Sequence, residues 1–244
     1  MVPTIDGRMG RFDNVGLYDG LFVMQDRETR TLWNHITGEA LYGPMVGRTL
    51  GPLGNVLQMT VRQALTLDPA MRVAISDGAY FVAGRQRGTA PGLGGGRGAA
   101  PGGGHRLSPD AALSDMFITT LGREDTRRPR MDLGLGIWTD RTWRYYPIER
   151  IRERGEAFID RIDGRTVLVY VDPETFTPAA IFVDAKSARL EGKDVRLDSG
   201  HILRSGLLLT ARGERQSAVR PQQVFTRWYG FALTFPGTEV FGQP

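Results

Sequence analysis

Neutral imidazole can take a proton near pH 7, so the three histidines are the first residues to weigh as catalysts. They are His35, His105 and His201. His35 follows Trp33 by two residues, and on a strand the two would share a face, which favours packing or turn capping over catalysis. His105 sits in a glycine-rich stretch and His201 follows a turn sequence. No H-x-x-x-H or H-E-x-x-H spacing joins the histidines into a zinc site. Asp13, Asp19, Asp26 and Glu28 crowd one region, and carboxylates alone can hold a hard cation. Aspartate beside glycine or before a reversal is also ordinary turn chemistry, since its carboxylate accepts from backbone two residues on; the turn reading is preferred. There is no G-x-S-x-G elbow to mark a serine nucleophile and no G-x-x-x-x-G-K-[ST] loop to cradle phosphates. Trp228 and Tyr229, flanked by Arg227, could stack on a sugar or a base. Phe225, Trp228, Phe231 and Phe235 are instead expected to supply the core of a last strand. No catalytic or metal-binding role is assigned on these grounds, and no cofactor is expected.

At 244 residues the chain can form one large domain or two small ones, and a hydrophobic content of 41% supports a core. No apolar run approaches the roughly 20 residues of a membrane helix, and Met1–Arg11 carries no secretory pattern. Cysteine is absent, which excludes disulfides and thiolate chemistry and leaves the redox compartment open. The net charge is +4, and the only lysines are Lys186 and Lys193. The arginines are interleaved with acids, as in Arg123-Glu124-Asp125 and across Glu149–Glu153. A stripe that tracks phosphates would keep acids away, so nucleic acid is not an expected partner. The expected partner is an unidentified ligand or protein.

The elements that must position these residues read as mainly β. The expected class is a β-dominated α+β fold, with meanders and hairpins in two related parts and a few short helices. The first part, 1–83, has an Asp6-Gly7 turn, then strands at Leu21–Met24, Thr31–Ile36 and Glu39–Tyr42. Asp26–Arg30 and Thr37-Gly38 are the reversals between them. Val61–Leu67 has helical spacing through Val61, Ala64 and Leu65, and Arg72–Ile75 closes the part as a strand. Residues 84–106 collapse to Gly, Pro, Ala and Arg, too little apolar surface to offset ordering entropy; a flexible insertion is expected. The second part, 107–244, opens with a hairpin of Leu133–Trp138 and Thr142–Tyr146. Pro147 suits the first position of a helix to about Arg154, and Asp163-Gly164 introduces the strong strand Thr166–Val171. Further strands are expected at Ala179–Val183, Leu203–Thr210 and Phe231–Phe235.

The run from Asp26 to Pro44, followed by Gly47 and Leu50, resembles the signature D-R-x-T-x-S-L-W-x-Q-x-T-G-x-A-x-x-G-P of the bacterial and archaeal domain-of-unknown-function family 3179. Arg130–Ile137, Tyr146-Pro147 and Phe225–Thr238 resemble its later segments more loosely. Within that signature Asp26, Thr29, Trp33, His35 and Gly38, with Arg227 and Trp228 near the end, are the positions of functional interest. His35 stands where the family has glutamine. Family members carry a C-P-x-C-like motif ahead of the signature, so the resemblance implies a missing amino-terminal segment and an uncovered edge on the first meander. It also implies an exported or membrane-associated full-length form. The family brings no established activity. Two readings follow: a non-catalytic binding or interaction module, or a metal-dependent or redox enzyme whose key residues lie in the missing segment. The first is preferred, and a paired-cysteine motif encoded upstream would favour the second.

Overall fold

The structure is a computed structural model that describes residues 3–51, 54, 55, 57–72 and 113–243. The glycine-rich stretch 84–106 and most of the strand expected at Arg72–Ile75 lie outside the described residues. The described chain is β-dominated, with four short helices among antiparallel sheets.

Aspartate–glycine pairs set the hairpins. Strands β1 (Thr4–Ile5) and β2 (Arg8–Met9) turn at Asp6-Gly7, where φ is 49° and 76°. Strands β3 (Phe12–Tyr18) and β4 (Leu21–Asp26) turn at Asp19-Gly20, with φ of 52° and 68°. Two consecutive positive φ values are what a tight two-residue hairpin requires, and Asp-Gly reaches them at least cost. The sheet then runs through β5 (Leu32–Asn34) and β6 (Ala40–Tyr42) in the order β3-β4-β5-β6. Helix α1 (Val61–Leu67) starts where expected, closed by a reciprocal capping box between Thr60 and Gln63. Its apolar residues do not face a core. Val61 and Leu65 are exposed, and the one buried side chain is Gln63.

In the second part, helix α2 (Asp115–Ile118) precedes the expected hairpin of β7 (Leu133–Trp138) and β8 (Trp143–Pro147). Pro147 ends β8, and helix α3 (Ile148–Glu153) begins one residue later than expected. Strands β9 (Ala157–Ile162) and β10 (Arg165–Val171) turn at Asp163-Gly164, and β10 pairs onward with β11 (Pro178–Phe182). A five-stranded meander follows: β12 (Ala188–Glu191), β13 (Asp194–Leu197), β14 (Ile202–Arg204), β15 (Leu207–Leu209) and β16 (Arg215–Gln216). The strand expected at Leu203–Thr210 is thus two strands. Ser205 and Gly206, at φ of 48° and 79°, fold it into another hairpin. Strand β17 (Gln222–Arg227) and the short β18 (Glu239–Val240) complete a sheet in the order β17-β7-β8-β18.

The strand expected at Phe231–Phe235 is a helix, α4 (Trp228–Thr234). Trp228, Phe231, Ala232 and Phe235 lie at intervals of three, four and seven residues, which is the helical period. All four are buried with Tyr145 and Val240 in one cluster, so these aromatics do supply core, from a helix. Gly136 makes that docking possible. A Cβ there would lie 2.1 Å from the Phe231 ring, closer than two carbons can pack.

Strand β10 is buried on both faces. Val167, Val169 and Val171 join Leu135, Ile137, Tyr146 and Ile151 on one side. Leu168 and Tyr170 join Val195, Leu203 and Leu208 on the other. A strand with both faces covered reads as a continuous apolar run, which Thr166–Val171 does.

Candidate functional site

Two turns in the chain have the same sequence pattern and share most of their hydrogen bonds. The first is Asp26-Arg27-Glu28-Thr29-Arg30-Thr31, between β4 and β5. The Asp26 carboxylate accepts from the Thr29 backbone N–H, the Thr29 hydroxyl and the Thr31 N–H. The Thr29 and Thr31 hydroxyls meet at 2.6 Å, Arg30 N–H donates to the Asp26 carbonyl, and Arg30 has φ of 61°. The second is Asp172-Pro173-Glu174-Thr175-Phe176-Thr177, between β10 and β11. Asp172 Oδ1 accepts from Glu174 N–H, Thr175 N–H and the Thr175 hydroxyl. The Thr175 and Thr177 hydroxyls meet at 2.7 Å, Phe176 N–H donates to the Asp172 carbonyl, and Phe176 has φ of 57°. Each turn is entered from a strand that begins after an Asp-Gly hairpin, at Asp19-Gly20 and Asp163-Gly164. The unit of Asp-Gly hairpin, strand and turn therefore occurs twice.

What differs is the seventh residue after the aspartate. In the first unit it is Trp33, opposite Met24 in the β4–β5 ladder. Its indole is fully buried, and Nε1 donates to Asp26 Oδ2 at 2.8 Å. Burial alone would raise the Asp26 carboxyl, but these donors together hold it below the usual carboxylate value. In the second unit the same position is Ala179, opposite Tyr170. No indole is there, and the space over Asp172, Ala179 and Tyr170 is a cleft of about 90 Å³. The donor that Trp33 supplies in the first unit comes here from outside the unit: Gln63 Nε2 of α1 reaches Asp172 Oδ1 and Oδ2 at 3.1 and 3.0 Å.

The wall of the cleft is apolar at Leu57, Met59, Pro178 and Val224 and polar at Asp172 and Arg220. Asp172 is buried, at 8% exposure. Arg220 Nη1 donates to the Ala180 carbonyl and the Tyr170 hydroxyl at 2.9 and 3.3 Å, and Nη2 to the Gly206 carbonyl at 3.3 Å. All three acceptors are neutral. Among the described residues no carboxylate pairs with Arg220, although twelve other ion pairs occur. Gln223 seals the back by bonding the Ala180 N–H and carbonyl with its amide, as a neighbouring strand would.

The structure brings Asp26, Thr29 and Trp33 together and spends them on the first turn. Gly38 adopts φ of 74° in the reversal before β6, with its N–H donating to the Asn34 carbonyl. His35 lies past the end of β5, where its Nδ1 meets the Phe22 carbonyl at 2.8 Å. Arg227 donates to the Met131 carbonyl, and Trp228 is buried with Nε1 on the Asp125 carbonyl; Trp228 is core and offers no stacking face. Asp13 pairs with Arg27, and Asp19 accepts from Gly122 N–H. The residues of the cleft were missed by the sequence reading. The recurrence of D-x-E-T-x-T at 26–31 and 172–177 is the signal that could have found Asp172. Ala179, Gln63 and Arg220 carry no such mark. In comparisons with known proteins the chain matches no family model, no curated protein and no solved structure.

Proposed function

We propose that this chain is a non-catalytic binding module that holds a small molecule in the cleft over Asp172 and Ala179. One observation carries the reading. The chain builds the same turn twice, fills the space beside it with its own Trp33 in one unit, and leaves that space open beside Ala179 in the other. A concave, largely apolar site with a few convergent polar groups is the usual form of a small-molecule pocket. Buried Asp172 and Arg220, which pairs with no carboxylate among the described residues, are such groups. The binding reading is favoured over catalysis because Asp13, Asp19, Asp26 and His35 are engaged in turns and ladder ends. His201 meets the Ser199 hydroxyl at 3.0 Å in an exposed turn, away from the cleft lining. The signature at 26–50 supports placing the chain beside domain-of-unknown-function family 3179, with an exported or membrane-associated full-length form.

The test is a thermal-shift screen of small molecules on the full chain and on Ala179→Trp, which restores the first unit's indole. Compounds that raise the Tm of the parent and not of the variant are expected. A screen in which every stabilising compound acts equally on both proteins would refute the assignment of the cleft.

A further inference from the structure

The geometry points to the ligand class of this cleft: a flat N–H heteroaromatic ring carrying a carboxylate, of indole-acid type. The inference rests on the binding-module reading and goes beyond it by naming what is bound. Its basis is that the first unit holds a molecular template for the occupant of the second. Asp26 Oδ2 receives an indole N–H from Trp33. In the second turn Asp172 Oδ1 accepts three donors from the turn itself, and Oδ2 accepts only Gln63 Nε2. In each turn Oδ2 takes a planar N–H donor from outside it, Trp33 Nε1 in the first, beside Thr29 and Thr31 of the turn itself, and Gln63 Nε2, shared with Oδ1, in the second. Ala179 and Tyr170 occupy the register positions of Trp33 and Met24, so the ring of a ligand would lie where the indole lies in the first unit.

Size decides what must move. The open space is about 90 Å³, smaller than the roughly 150 Å³ of a cavity that takes up benzene. A ring therefore enters as the Gln63 amide withdraws and gives up Asp172. Helix α1 is suited to that exchange, because Gln63 is its one buried residue and its apolar Val61 and Leu65 already face solvent. Charge decides the far end. Among the described residues the Arg220 Nε–H and one Nη2–H meet no protein acceptor, and a carboxylate is the natural partner of a guanidinium edge. Asp172 would repel that carboxylate at close range. Arg220 bonds instead the hydroxyl of Tyr170, two residues before Asp172 in the chain. The N–H of the ligand would meet Asp172 and its carboxylate Arg220, both of which line the cleft.

Calorimetric titration of the full chain with indole-3-acetate, indole and phenylacetate tests this, with amide exchange of residues 61–67 as a second readout. Saturable binding of indole-3-acetate is expected. Indole lacks the anion and phenylacetate lacks the N–H, so each should bind about tenfold more weakly or worse. Arg220→Gln should cost indole-3-acetate about tenfold and leave indole unchanged. Ala179→Trp, or Ala179→Leu if the larger side chain lowers the Tm, should abolish binding. Exchange in α1 should rise with ligand. Equal binding of phenylacetate, unchanged binding to the filled variants, or no saturable binding would overturn the inference. If no indole acid binds while another compound binds the parent and not the filled variants, the ligand class is wrong and the module stands. If nothing binds the cleft, both fall.

Discussion

Replacing Asp26 by asparagine changes one oxygen to an NH₂ and tests the first turn at its centre. Asp26 is fully buried, and its Oδ2 accepts from Thr31 N–H at 3.1 Å and Trp33 Nε1 at 2.8 Å. Its Oδ1 accepts from Thr29. Asparagine has one acceptor oxygen, so whichever way its amide is turned, one side of the network faces N–H against N–H. Leaving two buried donors unmatched at about 1–3 kcal/mol each predicts a loss of about 2–6 kcal/mol. Trp33→Ala should cost roughly 3–5 kcal/mol through its vacated volume. The assay is urea unfolding of the full chain, with Asp26→Asn, Trp33→Phe and the double variant forming a cycle. Trp33→Phe keeps most of the ring and removes the N–H, so the two changes should be non-additive by about 1–2 kcal/mol. The pH dependence has a definite sign. The Asp26 carboxyl is held below its ordinary value of 3.8 by its donors, so its contribution is complete above the unfolded value and is lost as pH falls through the folded one. The difference between parent and Asp26→Asn should shrink below about pH 4. A loss under about 1 kcal/mol at neutral pH, or a difference that grows on acidification, would refute this account of the turn.

Gly136→Ala places a methyl against the Phe231 ring and should destabilise by roughly 1–3 kcal/mol in a thermal melt, with Trp228 fluorescence altered as α4 shifts. Gln63→Ala should raise amide exchange across Val61–Leu67, because Gln63 is the helix's one buried anchor. Gly206→Val meets a φ of 79° that a β-branched residue resists and should cost about 1–2 kcal/mol by urea melt; Gly206→Asn should cost less.

Much of the fold was legible because its hairpins are written in local chemistry. Asp6-Gly7 and Asp163-Gly164 mark turns that any sequence reading finds, and Thr166–Val171 is too apolar and β-branched to be anything but a buried strand. Ser205-Gly206 is the same device with a weaker first residue, and it was read through as strand. Helix α4 was hidden by its composition: Trp, Tyr and Phe favour strands, and the spacing of Trp228, Phe231 and Phe235 outvoted that propensity only once Gly136 opened a groove for them. The face of α1 was misread for the opposite reason. Val61 and Leu65 look like a core stripe, yet the partner of this helix is a carboxylate, and the residue that meets it is a glutamine. The candidate site was the least legible part. Its defining feature is a small residue, Ala179, where a large one stands in the sister unit, and a missing side chain announces itself only beside its counterpart.

The double burial of β10 has a consequence for how this protein comes apart. The clusters on its two faces draw on β7, β8 and α3 on one side and on β13, β14 and β15 on the other. Pulling Val167–Val171 out of register by one residue would exchange the side chains presented to the two clusters and spoil both fits at once. Thermal unfolding of the second part should accordingly be a single cooperative event. The amides of β10 should exchange only through that global opening, however freely α1 moves above the cleft.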